Sequence, residues 1–284
     1  MKRLVIVGVS MIVFAIDRLR DGLNSLFGRK KPARIVVLYY HSVPAEKRAG
    51  FARQMDTLLR CSKPIATGAL AQAARGERCT AVTFDDAYRN VMENALPELQ
   101  RRNIPTTIYV VPGALGGTPN WTDYSGGTDA AMSEVIVTEK QLQTLPSELV
   151  EIGSHTLTHP MLAKLSENQA RVELSQSRSL LETMTGREVR ELSFPYGSFN
   201  DDVVNWCREA GYTRVFTTMP KLACTEGNEF VVGRVSVEPD DSALVFNLKL
   251  QGAYRWLPQA SAMKRALFPH RQLTASPNRP TATA

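Results

Sequence analysis

Cysteine is scarce in this 284-residue chain, with four residues at 61, 79, 207 and 224, and no two form a CxxC pair. A structural zinc site built on thiolates is therefore not expected. Cys61 and Cys79 flank a short segment and could pair in an oxidising compartment, but free, buried thiols are the expectation. Nor is there a charge excess in the body of the chain. Residues 1–34 hold eight of the 34 Lys/Arg and two of the 28 Asp/Glu, which leaves 26 of each sign for the rest, so the formal +6 resides wholly in the N-terminal segment. The basic pI of about 9.2 thus implies no nucleic-acid partner. The N-terminal apolar run, Leu4 to Ile16, has 13 residues. As a helix it spans about 20 Å against a hydrocarbon core of about 30 Å, which is short for a membrane span. A signal-peptide cleavage site is missing too, because Asp17-Arg18-Leu19-Arg20 stands where small residues should follow the run.

What the N-terminus does contain is helical spacing. Ile16, Leu19, Leu23 and Leu26 continue the apolar run with Arg18, Arg20 and Asp21 between them, as in a helix lying at an interface. Arg29-Lys30-Lys31 would add attraction for anionic lipid, and Pro32 ends the segment. Residues 1–33 are expected to be an uncleaved membrane-associating segment, with an anionic membrane surface as partner and the inner membrane or envelope of a bacterial-type cell as location. Lys/Arg after the run argue for the cytoplasmic face, and a polymeric substrate would argue for the envelope side, so the side of the membrane stays open.

The remainder reads as one α/β domain. With 43% hydrophobic residues and moderate Gly and Pro, 284 residues can bury a sizeable core. Apolar runs of strand length occur at 35–40, 81–84, 106–111, 149–152, 192–194, 215–217 and 230–232. Helical patterns lie between them: Phe51, Met55, Leu58 and Leu59 form a stripe, Thr138/Gln141 and Ser166/Gln169 have capping-box spacing, and Gly186 and Gly211 mark helix ends. Alternation of this kind predicts a parallel sheet. Residues 34–270 are taken as the domain and 271–284, which lack an apolar pattern, as a disordered tail.

Two of the four histidines stand four apart in Ser154-His155-Thr156-Leu157-Thr158-His159-Pro160, and 69 residues before His155 is Asp86 of Thr83-Phe84-Asp85-Asp86. Both stretches follow strand-like runs, where open α/β sheets and barrels place their chemistry. Taken singly, Asp-Asp reads as a helix cap and HxxxH as a chance pair. Together, two His and one Asp make three protein ligands, a count that leaves a tetrahedral zinc one open position for water. Neighbours on a strand point to opposite faces, so Asp85 and Asp86 should differ in role, one holding the ion and one moving a proton.

At these residues the chain resembles the polysaccharide deacetylases of carbohydrate esterase family 4, the NodB-homology domain. TFDD looks like the family's first motif, SHTLTHP matches the second, and Pro195-Tyr196-Gly197 is similar to the core of the third. The likeness covers about residues 34–250 and implies a distorted, incomplete (β/α) barrel of about seven strands. It implies removal of N-acetyl groups from an amino-sugar glycan or a lipid-linked sugar by water activated on a divalent metal, Zn2+ being the expected ion. Asp86, His155 and His159 would hold that ion, Asp85 would be the general base, and the backbone N–H at Tyr196 would face the oxyanion.

Two departures bear on the site. Ser193 stands where the third motif usually has an Arg, and Arg234 is the replacement to examine, with a plain surface Arg as the alternative. The late His that usually supplies the general acid has no match. His41, directly after the first strand, is preferred for that role over His270 near the tail. Trp121, in the Gly-rich stretch 113–127 with Tyr124, could stack on a sugar ring or pack against the barrel end. An O-acetyl glycan esterase would use the same site, and a catalytically weak carbohydrate-binding member would be expected to lose Asp85 or a ligand.

Overall fold

The computed structural model describes residues 3–28, 33–119, 121, 134–224 and 228–267. Arg34–Tyr40 forms β1, which pairs in parallel along its whole length with β3, Arg78–Phe84. Alternation sorts the side chains of both strands. Ile35, Val37, Cys79 and Ala81 join a small inner core with Tyr109, Phe216 and Val232, whereas Val36, Leu38, Tyr40, Val82 and Phe84 join the large core under the helices. Strands apolar on both faces are what a parallel sheet covered by helices requires.

The remaining strands are β2 (Lys63–Pro64), β4 (Thr106–Val110), β5 (Val150–Ser154), β6 (Glu191–Ser193), β7 (Arg214–Phe216), β8 (Val231–Val232) and β9 (Val235–Ser236). Every pairing between them is parallel, and the order is β8-β7-β6-β5-β4-β3-β1-β9 with β2 beside β3. The two ends of that path, β8 and β9, are separated in the chain only by Gly233 and Arg234. Laid flat, eight strands would hold their edges about 34 Å apart, far beyond the reach of two residues. The sheet therefore curls until its edges meet, and Arg234 sits in the seam. This is the expected distorted barrel, with two strands more than anticipated. The additional β2 and β9 are two residues each, too short to leave a periodic signal.

Both capping boxes form: Thr138 opens α4 (Glu139–Gln143) and Ser166 opens α5 (Glu167–Thr185), which Gly186 ends in a left-handed conformation. Asn200 caps α6 (Asp201–Glu209) by accepting from the Val203 N–H. On the outer layer lie α1 (Arg3–Leu26), α2 (Arg48–Cys61), and α3 (Leu96–Arg102) behind a π-helical turn at Val91–Ala95. Two further helices, α7 (Ala243–Leu250) and α8 (Leu257–Leu267), follow the last strand.

The N-terminal helix is docked on the domain: Ile6, Val7, Val13 and Phe14 of α1 pack on the main core, and Asp17 pairs with Arg34 and Arg255. No described helix is long and apolar enough to cross a membrane. All four cysteines are free. The tail 271–284, His270 and Tyr124 lie outside the described residues, as does most of the Gly-rich stretch.

Candidate active site

Asp85 continues the inward series Cys79, Ala81, Thr83 and still belongs to the ladder, its N–H donating to the Tyr40 carbonyl at 2.9 Å. By the same alternation Asp86 should face outward. It does not, because the chain turns there: Asp86 and Ala87 have φ of 68° and 56°, so both carboxylates are buried at one barrel mouth. Left-handed φ costs a non-glycine residue roughly 1 kcal/mol or more. Of the seven described non-glycine residues with positive φ, four (Asp86, Thr156, His159 and Tyr196) belong to the three motif stretches, and a fifth, Ala87, directly follows the first. Strain is thus concentrated where the chemistry-bearing side chains are aimed.

Arg234, fully buried, reaches Asp85 from the seam. Nη1 donates to Oδ1 and Nη2 to Oδ2, each at 2.7 Å. The other donors are also satisfied: Nη2 to Ser193 Oγ at 2.6 Å, Nη1 to Thr83 Oγ1 at 3.1 Å and Nε to the Thr217 carbonyl at 3.3 Å. The guanidinium carbon lies 4.6 Å from the Tyr39 ring centroid and 5.3 Å from that of Tyr109, within cation–π range. Ser193 is small where a long side chain was expected, and its hydroxyl and the space beside it receive Arg234. Burial opposes ionisation of Asp85, but the Arg234 guanidinium holds its carboxyl well below the usual carboxylate range. Burial pushes Asp86 the other way.

His155 follows β5, and its N–H donates to the Val110 carbonyl of β4. The four-residue spacing to His159 is spanned by a loop, since Thr156 and His159 both have φ of 65°. That loop is held from outside by Glu173 of α5, whose carboxylate accepts from the Leu157 and Thr158 N–H groups at 2.8 and 2.9 Å. His155 Nδ1 donates to the Ser193 carbonyl at 2.8 Å, because a carbonyl can only accept, and this leaves Nε2 with a lone pair. Burial, followed by the nearby His155, pushes the His159 pKa down to about 2, so its ring is neutral, the form in which imidazole binds metals.

One candidate ligand atom from each of Asp86, His155 and His159 lies within 4.8 Å of the others. Asp86 Oδ1 is 3.6 Å from His155 Nε2 and 3.4 Å from His159 Nε2. These gaps are too long for hydrogen bonds, but ligands about 2.1 Å from an ion at the tetrahedral angle stand about 3.4 Å apart. Asp86 Oδ1 and His159 Nδ1 have no hydrogen-bond partner. A buried carboxylate oxygen without a partner is unfavourable, and a divalent cation bound to it would relieve that cost. The three residues fit a divalent metal.

The other expected residues are distributed unevenly. His41 is half-buried just beyond β1, with its ring 5.6 Å from that of Tyr39. Tyr196, at φ 57° in the turn Pro195–Gly197, places its ring 4.7 Å from that of His159. A Cβ on the following Gly197 would come within 2.2 Å of Thr218 Oγ1, so no larger residue fits that turn unchanged. Trp121 is buried and stacks on the His159 ring at 4.3 Å. Of its two readings, packing at the barrel end is the one this geometry supports. Thr83, Tyr39 and Tyr109 were missed as partners of Arg234. Thr83 shares the inward face with Asp85 and could have been found by alternation, whereas nothing local marks Tyr109 or Glu173.

Comparison with known proteins matches residues 72–215 to the polysaccharide deacetylase family model. The Bacillus subtilis protein YxkH, provisionally named a polysaccharide deacetylase, is 24% identical over 250 residues, covering 84% of this chain and 82% of that protein. The poly-beta-1,6-N-acetyl-D-glucosamine N-deacetylase of Staphylococcus epidermidis is 24% identical over 173 residues, and the match spans 58% of this chain and 56% of that relative. In fold, IcaB from Ammonifex degensii superposes with a TM-score of 0.64 at 24% identity, covering 78% of this chain and 98% of its own. The match takes in β3 with its paired aspartates and the loop of His155 and His159, and it spans half the chain, so this protein belongs to the polysaccharide deacetylase family.

Proposed function

We propose that this enzyme removes N-acetyl groups from an amino-sugar glycan, with Zn2+ held by Asp86, His155 and His159. The bound ion would polarise the acetyl carbonyl and bring the pKa of a coordinated water towards neutrality. Asp85, ionised and pinned by Arg234, takes the proton from the attacking water as its oxygen adds to the carbonyl carbon. The backbone N–H of Tyr196 is assigned to the developing oxyanion. His41 gives its proton to the amine nitrogen as the C–N bond breaks, releasing acetate and a glucosamine unit. The observation that carries this reading is the Asp85–Arg234 pair set directly beside the Asp86–His155–His159 group. The staphylococcal relatives' substrate makes oligomers of β-1,6-linked N-acetylglucosamine the first to test, and the basic, apolar N-terminus supports work at an anionic membrane surface of a bacterial-type cell.

Asp85→Asn should keep stoichiometric metal and lower acetate release by roughly 10²–10⁴, the usual worth of a general base. Asp86→Asn should lose metal, with activity returning at high metal concentration. Metal analysis beside acetate assays decides the matter, and the reverse pattern would sink the assignment.

A further inference from the structure

Of the thirteen exposed large apolar side chains among the described residues, nine lie between Leu4 and Phe27. Leu4, Ile12, Ile16, Leu19, Leu23 and Leu26 run down one side of α1, and Leu4 and Leu26 at its two ends are 84% and 82% exposed. The opposite side of the same helix is committed to the domain: Ile6, Val7, Val13 and Phe14 pack on the core, and the Trp256 indole N–H donates to Ser10 Oγ at 3.0 Å. An apolar patch of this extent on a soluble face marks a docking surface.

The charges of α1 are sorted between its two sides. Its only acids, Asp17 and Asp21, turn inward. Asp17 accepts from Arg255 at 2.7 and 2.8 Å and from Arg34 at 3.2 Å, and Asp21 accepts from Arg78 at 2.8 Å. Arg18 and Arg20 are exposed, and Arg3 is exposed with only a long contact to Asp241. The face left to solvent is therefore apolar with cations alone. A second copy would set cation against cation there, with no acid to pair them. An anionic bilayer offers both complements at once, acyl chains for the stripe and phosphates for the arginines.

The direction of α1 is set by its anchors. Arg3 at its start meets Asp241, beyond the C-terminal end of β9, whereas Asp17 and Asp21 meet Arg34 and Arg78, at the N-terminal ends of β1 and β3. The helix thus runs antiparallel to the strands along the outside of the barrel.

Resting on the membrane reading above, we infer that α1 binds anionic lipid while remaining docked on the domain, as a built-in face of the enzyme and not a free tether. A helix lying in the lipid surface with the barrel alongside it turns the active-site mouth along the bilayer, towards glycan close to the membrane.

The test uses the full chain and vesicles of phosphatidylcholine with or without phosphatidylglycerol. The chain should sediment with the anionic vesicles, and Ile12→Asp/Leu19→Asp should reduce that partition at least tenfold without changing the melting temperature or acetate release from a short soluble oligomer. Hydrogen exchange in α7, against which α1 packs, should stay equally slow with and without vesicles. Anionic-vesicle binding with exchange in α7 accelerated tenfold or more would show α1 leaving the domain, and would overturn the docked helix while the membrane reading stands. Failure of the wild-type chain to bind anionic vesicles would remove both. A lipid-free dimer that the double variant converts to monomer would assign the stripe to a second copy and overturn the inference.

Discussion

The two ends of the barrel interior hold the same residue types in opposite states. At the C-terminal ends of the strands, Asp85 receives both arms of Arg234, and every guanidinium nitrogen there has an acceptor. At the N-terminal ends, Glu191 meets Arg214 through one contact of 3.3 Å, and Arg214 Nε has no partner. Thr67 Oγ1 lies between Glu191 and Glu151 and has one proton to offer two carboxylates. Tyr109 joins the two ends, its ring near Arg234 and its hydroxyl 3.2 Å from Glu191, and Gly153 makes room for it, since a Cβ there would fall 2.3 Å from the ring. Burial pushes Glu191 up to about 7 in spite of Thr67, with Glu151 adding to the rise, while Asp85 stays ionised at equal depth. Burial does not decide the charge of an interior carboxylate by itself. The number and aim of the donors around it do.

The largest way to break the contrast is Arg234→Met. It leaves Asp85 buried without its counter-ion, a change that costs about 3–5 kcal/mol, and the carboxylate should then bind a proton near neutrality. Urea unfolding should show the loss, and acetate release at pH 7 should fall by roughly 10² or more. Adding Asp85→Asn should cost less than the sum of the two single changes. A single variant within about 1 kcal/mol of the parent would mean the pair is not what separates the two ends.

The second test is pH. Glu191 binds its proton more tightly folded, at about 7, than at its ordinary value of 4.5. Its contribution is therefore complete below about pH 4.5 and is lost as pH rises through about 7, a fall of about 3 kcal/mol at 1.36 kcal/mol per unit. Asp85 behaves oppositely, and its contribution is present above the ordinary aspartate value and lost on acidification. Glu191→Gln should flatten the first slope and leave the acid limb in place. Unfolding free energies that rise between pH 5 and 7 in the parent chain would contradict this assignment.

The smallest expected effect is at Ser193. Ser193→Ala removes one acceptor from Arg234 but leaves both bonds to Asp85, so a loss of about 0.5–1.5 kcal/mol and a few-fold drop in rate are expected. Thermal melts with parallel acetate assays check it, and a loss as large as that of Arg234→Met would give Ser193 more weight than its geometry does.

Most of the site could be read along the chain. Asp85, Asp86, His155 and His159 follow strand-like runs, and the capping boxes at Thr138 and Ser166 needed only local chemistry. Arg234 was visible only as a candidate, because nothing around it in the chain says that it lies in a seam between β8 and β9 or that its aromatic cage comes from Tyr39 and Tyr109. Trp121 could be read two ways, and the deciding contact, His159, is 38 residues away. The additional strands β2 and β9 left no pattern, and their pairing exists only because the sheet curls.

The sequence by itself determined the strand faces, the helix starts and the three ligand types, since each rests on periodicity or on contacts within a few residues. Only the tertiary structure decided that Asp86 turns inward with Asp85, that a serine makes way for an arginine 41 residues later, and that α1 turns its two acids towards the domain. These depend on which surfaces meet when the barrel closes, and closure brings together residues whose separation along the chain carries no signal.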